Sequence, residues 1–135
     1  MFLNSDYIAH RREKDGEIHR LSSHLEAVSK KTGEFASKVG LKDYGEIIGL
    51  LHDIGKASHK FEQYIKSAVG LINPDEDDYV DAAGLRGKVD HSTAGAQFIY
   101  RELAQNGKEA LFVAQVLSLC LASHHSGLID CISPE

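Results

Sequence analysis

Apolar residues recur at steps of three and four positions along much of this chain, which is the spacing of one face of an α-helix. The apolar positions of the first run are Leu21, Leu25, Val28, Phe35 and Val39. This run predicts an amphipathic helix over about residues 21–39, and a second run predicts one over about residues 43–54 that Gly55 ends. A short third helix is expected to carry Phe61 and Tyr64.

The second half of the chain combines a long predicted loop, residues 69–90, with two further helical patterns. Asp90 is expected to cap a helix over about residues 91–105. The inward positions of that helix are predicted to be Ala94, Phe98 and Ile99. Because the run over about residues 108–123 is apolar nearly all round, it predicts a central, buried helix. Residues 1–20 predict at most one short extended piece, so the predicted class is all-α.

The composition fits one compact domain rather than a disordered chain. The chain has 135 residues, of which 42% are apolar and 26% are charged, and these are ordinary values for a globular domain. The formal net charge of −5 lacks the basic footprint of a general nucleic-acid-wrapping protein. Part of the acidic excess lies in residues 75–81, which are expected to form a solvated loop. Bound cations would raise the local potential, so charge alone neither indicates nor excludes a nucleic-acid substrate.

Cysteine usage and the apolar runs favour a cytoplasmic location. Cys120 and Cys131 form no C-x-x-C pair, so the sequence predicts neither a disulfide scaffold nor a thiolate zinc site. The first residues lack a secretory pattern, and no apolar run approaches the ~20 residues needed to cross a bilayer. We therefore expect the cytoplasm and no membrane partner.

Five of the eight histidines lie on or beside the apolar face of a predicted helix, and one of them is followed directly by an aspartate. These six residues are His24, His52, Asp53, His91, His124 and His125. Burial near one core without partners would cost roughly 1–3 kcal/mol for each unsatisfied group, and a shared cation would satisfy the groups together. The sequence therefore predicts one or two divalent ions, with manganese, nickel, cobalt, iron, magnesium and zinc as candidates. His10, His19 and His59 are expected to be surface residues.

The adjacent pair His52 and Asp53 suits an ion held over the end of a helix. A carboxylate can bridge two cations, and two cations ~3.5–4 Å apart can clamp the attacking and leaving oxygens of a phosphoryl displacement. Lys56, one turn after His52, would neutralise charge on a phosphate or protonate a leaving group. Alternatively, Lys56 is a surface lysine that favours the C-terminus of the helix. The candidate catalytic residues are therefore Asp53 and Lys56.

Four stretches of the sequence together resemble the HD phosphohydrolase superfamily. They are His24, Leu-Leu-His-Asp-Ile-Gly-Lys at 50–56, Asp-His-Ser at 90–92 and His-His-Ser-Gly-Leu at 124–128. Two details are similar to the HD nuclease domain of the CRISPR-associated helicase-nuclease in particular. These are Gly-Lys-Ala-Ser-His-Lys-Phe-Glu-Gln-Tyr at 55–64 and the double histidine with its Ser-Gly-Leu. The resemblance runs from about residue 7 to the end of the chain.

The resemblance implies that residues 1–135 form an HD-type helical bundle that acts as a metal-dependent nuclease on single-stranded DNA in CRISPR interference. The implied ligands form two groups that share Asp53. One metal would be bound by Asp53 with His24 and His52, and the other by Asp53 with His91, His124 and His125. Lys56 matches the lysine of the family's motif. The implied partners are single-stranded DNA, a helicase domain in cis or in trans, and the CRISPR surveillance complex.

The sequence departs from the family's pattern at one ligand. The final ligand of the family is an aspartate on a later helix, whereas Asp130 is the only acid between His125 and Glu135. We therefore expect an N-terminal fragment of a longer protein, with weak or absent activity by itself.

Two other functions stay open at this point. An HD phosphohydrolase that acts on a nucleotide or a cyclic dinucleotide would use nearly the same metal ligands, and a closed pocket rather than an open groove would favour it. A non-catalytic docking module could keep the same helical scaffold, because fold does not fix function. Loss of metal ligands would indicate such a module, and the six candidate ligands are all present.

Overall fold

The chain folds as a short β-hairpin followed by α-helices, as shown by a computed structural model that describes residues 7–127. The hairpin consists of β1 (Ile8–Arg11) and β2 (Ile18–Arg20), which pair antiparallel. The helices are α1 (Leu21–Ser37), α2 (Lys42–Leu51), α3 (His59–Ala68), α4 (Ala82–Leu85), α5 (Thr93–Leu103) and α6 (Lys108–Ser123). A 3₁₀-helix, Ile54–Ala57, lies between α2 and α3. The predicted all-α class is confirmed, although two paired strands replace the single extended piece that was expected.

Small residues let α1 and α2 pack with their backbones in close contact. A Cβ atom on Gly49 would lie 2.4 Å from Cα of Ser29, and one on Gly45 would lie 2.5 Å from the carbonyl oxygen of Thr32. The Thr32 hydroxyl donates a hydrogen bond across the interface to the Gly45 carbonyl at 2.6 Å. These contacts fix α2 along the middle and C-terminal half of α1, and His24 lies nearer the N-terminus of α1.

Two apolar clusters meet at the C-terminal end of α2. The larger cluster joins α2, α5 and α6 and consists of Leu51, Ala96, Ile99, Leu117 and Leu121. The smaller cluster lies under the hairpin and consists of Ala9, Leu21 and Leu25. Ile54 packs against both clusters. Asp53, the residue before it, therefore lies where the two clusters join.

The predicted inward face of α5 is wrong at two positions. Ala94 is exposed and the Phe98 side chain is 53% exposed, whereas Gly95 and Ala96 are buried together with Ile99. The reason is a backbone contact, since a Cβ atom on Gly95 would lie 2.1 Å from the carbonyl oxygen of Leu51. The helix turns its small residues toward α2, and this rotation carries Phe98 outward.

Asp90 caps the start of α5, as the sequence predicted. Its carboxylate accepts hydrogen bonds from the backbone N–H of Ser92 at 3.0 Å and of Thr93 at 3.2 Å. These are N–H groups at the start of a helix, which have no partner within the helix itself. The helix begins at Thr93, two positions later than the estimate of residue 91.

The prediction that α6 is buried on all sides is wrong. Ala114, Leu117 and Leu121 form its buried face, but Phe112 is 66% exposed and Val116 is 44% exposed. Within residues 7–127, α6 packs mainly against α5 and α2. Its apolar outer face is therefore open in the described part of the chain.

The long loop over residues 69–90 lies along α3 rather than free in solvent. The Gln63 amide donates to the Asp78 carboxylate at 3.1 Å, and the Val80 N–H donates to the Ser67 hydroxyl at 3.2 Å. The short helix α4 interrupts this loop, and Asp81 caps it through the N–H of Gly84. Among the described helices, none combines the length and apolarity that crossing a membrane requires.

Candidate metal centre

Asp53 is the one charged residue that is buried in the described part of the chain, with 4% of its surface exposed. It lies directly between His52, the residue after α2, and the 3₁₀-helix. A close backbone contact brings α5 to this point, since a Cβ atom on Gly55 would lie 2.3 Å from the carbonyl oxygen of His91. Only glycine leaves room for that contact, and the contact sets His91 beside Asp53.

One carboxylate oxygen of Asp53 faces two imidazoles from α1 and α2. Nε2 of His24 and Nε2 of His52 each lie 3.3 Å from Oδ2 of Asp53. The two nitrogens lie 3.2 Å from each other. These three atoms form a compact group of the size that could hold a metal ion.

The other oxygen of Asp53 faces three imidazoles, one from the segment just before α5 and two from the residues that follow α6. Oδ1 lies 3.6 Å from Nε2 of His91, 3.5 Å from Nε2 of His124 and 3.9 Å from Nε2 of His125. Nε2 of His91 and Nε2 of His125 are 2.8 Å apart. Asp53, His91 and His125 form a second group of metal-binding size. The two oxygens of one carboxylate thus serve two separate sets of imidazoles.

Backbone carbonyls fix the orientation of three of these rings. Nδ1 of His52 lies 2.8 Å from the Gly49 carbonyl, and Nδ1 of His124 lies 2.6 Å from the Leu121 carbonyl. Nδ1 of His91 lies 3.1 Å from the carbonyl of Val89. A carbonyl oxygen only accepts, so each Nδ1 must carry the proton. The neutral ring then has its lone pair on Nε2, the atom that points toward Asp53, and this is the arrangement that metal-binding histidines use.

Two buried atoms of the cluster lack a hydrogen bond within residues 7–127. They are Oδ1 of Asp53 and Nε2 of His124, which face each other 3.5 Å apart. Each is an acceptor when the carboxylate is ionised and the ring is neutral, so the two cannot satisfy each other. An unsatisfied buried group costs roughly 1–3 kcal/mol. A divalent cation would satisfy both, and imidazole and carboxylate are suitable ligands for one.

Lys56 contacts Asp53 directly and is not a surface lysine. Its Nζ lies 2.9 Å from Oδ2 of Asp53 and donates to the carbonyl of Ala9 at 3.2 Å. Nζ also lies 5.7 Å from the centre of the Phe61 ring. The side chain is mostly buried. Lys56 therefore neutralises the buried carboxylate and ties β1 to the cluster.

The electrostatics of the cluster keep Asp53 ionised. Burial raises the pKa of the Asp53 carboxyl, but hydrogen bonds with His52 and Lys56 and the charge of Lys56 outweigh burial and hold this pKa well below its usual range. Burial lowers the pKa of His24, and the negative charge of Asp53 offsets this only in part. Burial and the neighbouring rings of His124 and His91 lower the pKa of His125. The low pKa values of His24 and His125 favour their neutral rings, which is the form that binds a metal. Burial also lowers the pKa of His52, but hydrogen bonds with Asp53 and the Gly49 carbonyl outweigh burial and raise it. The charged His52 ring therefore donates from Nε2 to Asp53, and this ring would have to lose that proton to bind a cation.

Two further histidines, which the sequence analysis expected to be surface residues, border the cluster. The rings of His10 and His19 stack 4.5 Å apart, and His10 meets His24 edge-on at 5.8 Å. His10 is exposed, but His19 is half-buried, and its Nε2 lacks a hydrogen bond among the described residues. The signal that could have found them is the Asp15-Gly16 turn between two short alternating segments, which is typical of a β-hairpin.

The structure brings together all six of the ligands that the sequence analysis named, as well as Lys56. Their assignment as metal ligands stays a prediction. His59, at the start of α3, is exposed, as expected. Asp130, the acid considered as a substitute for the family's final ligand, lies outside the described residues, as does Cys131.

A comparison with known protein families gives a match that spans the whole of this cluster. A family model described as "Cas3, HD domain" matches residues 10–131 and therefore includes every residue named above from His10 to His125. A search among curated proteins finds no match for the chain.

Proposed function

The chain belongs to the Cas3, HD domain family of CRISPR-associated HD nucleases, and on this premise we propose that it is a metal-dependent nuclease that hydrolyses phosphodiester bonds of single-stranded DNA during CRISPR interference. The proposed catalytic residues are Asp53 and Lys56. The proposed metal ligands are His24, His52, Asp53, His91, His124 and His125.

One observation carries this proposal. The two oxygens of Asp53 face two sets of imidazoles, with Nε2 of His24 and His52 on one side and Nε2 of His91, His124 and His125 on the other. A bridging carboxylate between two nitrogen-rich groups is a design that suits two-metal hydrolysis of phosphate esters. A single structural ion would need only one of the two sets.

The chain's own residues would prepare the site in three ways. Bound cations would supply an acidified water and neutralise charge on the phosphodiester. Asp53 would hold both cations because it stays ionised, and its charge is balanced by Lys56 at 2.9 Å. The imidazoles of His52, His91 and His124 would be oriented in advance by their bonds to backbone carbonyls. Two N–H groups of Lys56 are engaged by Asp53 and Ala9, and the third would help to carry the charge of the transition state.

The exposure of the cluster supports a polymeric substrate. The side chain of His125 is 55% exposed and that of His24 is 23% exposed, so both sets of imidazoles reach the surface. A small nucleotide would be expected to bind in a closed pocket that surrounds most of its surface. A surface site instead allows a strand to pass across it.

The test is a cleavage assay on chelator-treated protein with added Mn²⁺. We expect weak cleavage of a fluorescent single-stranded oligodeoxynucleotide, loss of this cleavage in excess chelator, and loss in His52→Ala and Asp53→Ala. His59→Ala serves as the matched control, because His59 is an exposed histidine outside the cluster. Cleavage that persists in excess chelator would overturn the metal mechanism.

A second set of substrates tests the choice of substrate. Duplex DNA, a cyclic dinucleotide and a nucleoside triphosphate are assayed beside the single strand. Hydrolysis of the nucleotides without cleavage of DNA would replace the nuclease proposal with the nucleotide phosphohydrolase. A fully metal-loaded protein that hydrolyses none of the substrates would indicate a docking module.

We further propose that a helicase, supplied in cis or in trans, and the CRISPR surveillance complex are the partners that present the single strand. Family membership supports this part of the proposal. Addition of both partners to the chain should extend cleavage from single-stranded DNA to a duplex target. If duplex cleavage is unchanged by their addition, the proposed partners are wrong.

A further inference from the structure

The β-hairpin carries a histidine pair that borders the candidate metal centre without belonging to either ligand group. His10 on β1 and His19 on β2 are cross-strand partners. Their rings are 4.5 Å apart with 24° between the planes, which is a stacked arrangement. His10 also meets the ring of His24 at 5.8 Å with 83° between the planes. His10 therefore links the hairpin residue His19 to His24, a member of the first group of ligands.

The backbone that precedes His10 is held in place. Its neighbour Ala9 is 2% exposed, and the carbonyl of Ala9 accepts a hydrogen bond from Lys56, which also contacts Asp53. The N–H of Leu21, at the start of α1, donates to the carbonyl of Tyr7 at 2.9 Å. His10 is thus exposed to solvent and at the same time rigidly positioned relative to Asp53. A residue that is both accessible and preorganised is suited to contact a bound substrate.

We propose that His10 is a substrate-contacting residue, whose ring N–H donates a hydrogen bond to a phosphate oxygen of the DNA strand next to the phosphate that is cleaved. The inference rests on the proposed nuclease function. The ring lies beside His24 rather than within reach of Asp53, so the phosphate it contacts is a neighbour of the reacting one. Phosphate contacts of this kind position a strand without reading its sequence.

A phosphate is favoured over a base for two reasons. One face of His10 is already stacked on His19, which leaves the ring edge available to the strand. The positive charge of Lys56 acts on His10 more strongly than the opposing negative charge of Asp53, and Arg12 adds a further positive charge, so the field at this ring favours an anion. His19 would serve as a positioning residue that holds the His10 ring by stacking.

The experiment compares substrates with and without a neighbouring phosphate. His10→Ala and the control His59→Ala are assayed with Mn²⁺ on three substrates. These are a single-stranded oligodeoxynucleotide, the same strand with abasic sites around the cleavage position, and bis(4-nitrophenyl) phosphate, a small diester without neighbouring phosphates. Manganese bound per chain, strand affinity measured by fluorescence anisotropy on a phosphorothioate strand, and the thermal midpoint are recorded for each variant.

We expect His10→Ala to raise KM for both strands and to weaken strand binding by about three- to tenfold, the scale of one hydrogen bond. Hydrolysis of the small diester and bound manganese should be unchanged. His10→Asn keeps a side-chain N–H and should recover part of the lost affinity. It also keeps the inference testable if the alanine variant fails to fold.

Several results would overturn the inference and leave the nuclease proposal standing. An equal loss on the small diester, or loss of bound manganese, would place His10 in the metal site. A loss confined to the strand with bases would indicate base stacking. No change on any substrate would show that His10 makes no contact. If the unaltered chain cleaves neither strand, the nuclease proposal itself fails.

Discussion

At the C-terminal end of α2 charged and polar groups are buried, whereas along the outer face of α6 large apolar side chains are exposed. Asp53 is 4% exposed, but Phe112 is 66% exposed and Val116 is 44% exposed. One apolar cluster contains residues of both helices, Leu51 from α2 and Leu121 from α6. Burial in this domain is therefore not sorted by polarity alone.

The difference teaches which region constrains the sequence more strongly. Exposed apolar side chains are common on folded proteins and carry little penalty one by one. A buried polar atom without a partner costs roughly 1–3 kcal/mol, so the α2 end needs Lys56, His52 and the other imidazoles in fixed positions. The predictions below test this contrast, from the largest expected effect to the smallest.

The largest effect is expected at the bridging carboxylate. Asp53→Asn keeps the shape of the side chain but replaces an oxygen with an N–H₂ donor, which cannot share two cations. We expect affinity for Mn²⁺ to fall by at least about 100-fold, since changes one step further from a metal already cost 10–100-fold. Calorimetric titration of Mn²⁺ measures this, and Asp78→Asn on the exposed loop is the control. Unchanged Mn²⁺ affinity in Asp53→Asn would mean that Asp53 is not a ligand.

Removal of the positive partner of Asp53 should destabilise the metal-free protein. Lys56→Met keeps the length of the side chain but leaves the buried carboxylate without its nearest charge, at a cost of about 3 kcal/mol. Urea unfolding measures the loss, and added Mn²⁺ should restore part of it because a cation supplies the missing charge. Lys60→Met, on the exposed surface of α3, is the control. Equal stability of the two variants would show that the ion pair contributes nothing.

The two faces of α6 should differ in their response to truncation. Leu121→Ala removes a fully buried side chain and should cost about 2–5 kcal/mol in the free energy of unfolding. Phe112→Ala removes a larger but exposed side chain and should change stability by no more than about 0.5 kcal/mol. Denaturant unfolding of both variants measures the difference. Comparable losses would mean that the outer face of α6 is covered in solution.

The smallest effect is expected at the start of α5. Asp90→Ala removes the acceptor for two backbone N–H groups and should cost about 1 kcal/mol, against no change for Asp77→Ala in the exposed loop. Hydrogen bonds from Thr93 hold the pKa of Asp90 below its usual value. The contribution of this carboxylate is therefore present at neutral pH and is lost as the pH falls below about 3.9 and through the lowered pKa. A difference between wild type and variant that grows on acidification would contradict the capping role.

Periodicity predicted the helices of this domain well but not the direction of their faces. The spacing of apolar residues located α1, α2, α5 and α6 to within about three residues. It failed for Phe98, because the rotation of α5 depends on the contact between Gly95 and Leu51, a tertiary contact that the pattern within one helix does not contain. It failed for Phe112 because an apolar residue can lie on a face that no described element covers.

The site shows the same division between local and tertiary information. His24, Asp53 and the double histidine could be predicted as site residues from the sequence, since each lies at a recognisable place on or beside its own helix. For His10 and His19 the local signal is only a hairpin turn at Asp15-Gly16. Their place beside the cluster depends on packing of the hairpin against α1, which is a tertiary contact. The hydrogen bond from Lys56 to the carbonyl of Ala9 joins residues 47 positions apart, so neither local sequence pattern predicts it.

The location of His52 and His124 has a consequence for how a cation is attracted. Each is the residue that immediately follows the last turn of its helix, α2 or α6. The peptide dipoles of a helix sum to about half a negative charge at its C-terminus. Both helices therefore direct the negative ends of their dipoles at the same small volume. The backbone itself attracts cations there, and it repels the phosphate of a substrate while no cation is bound. This favours binding of metal before substrate.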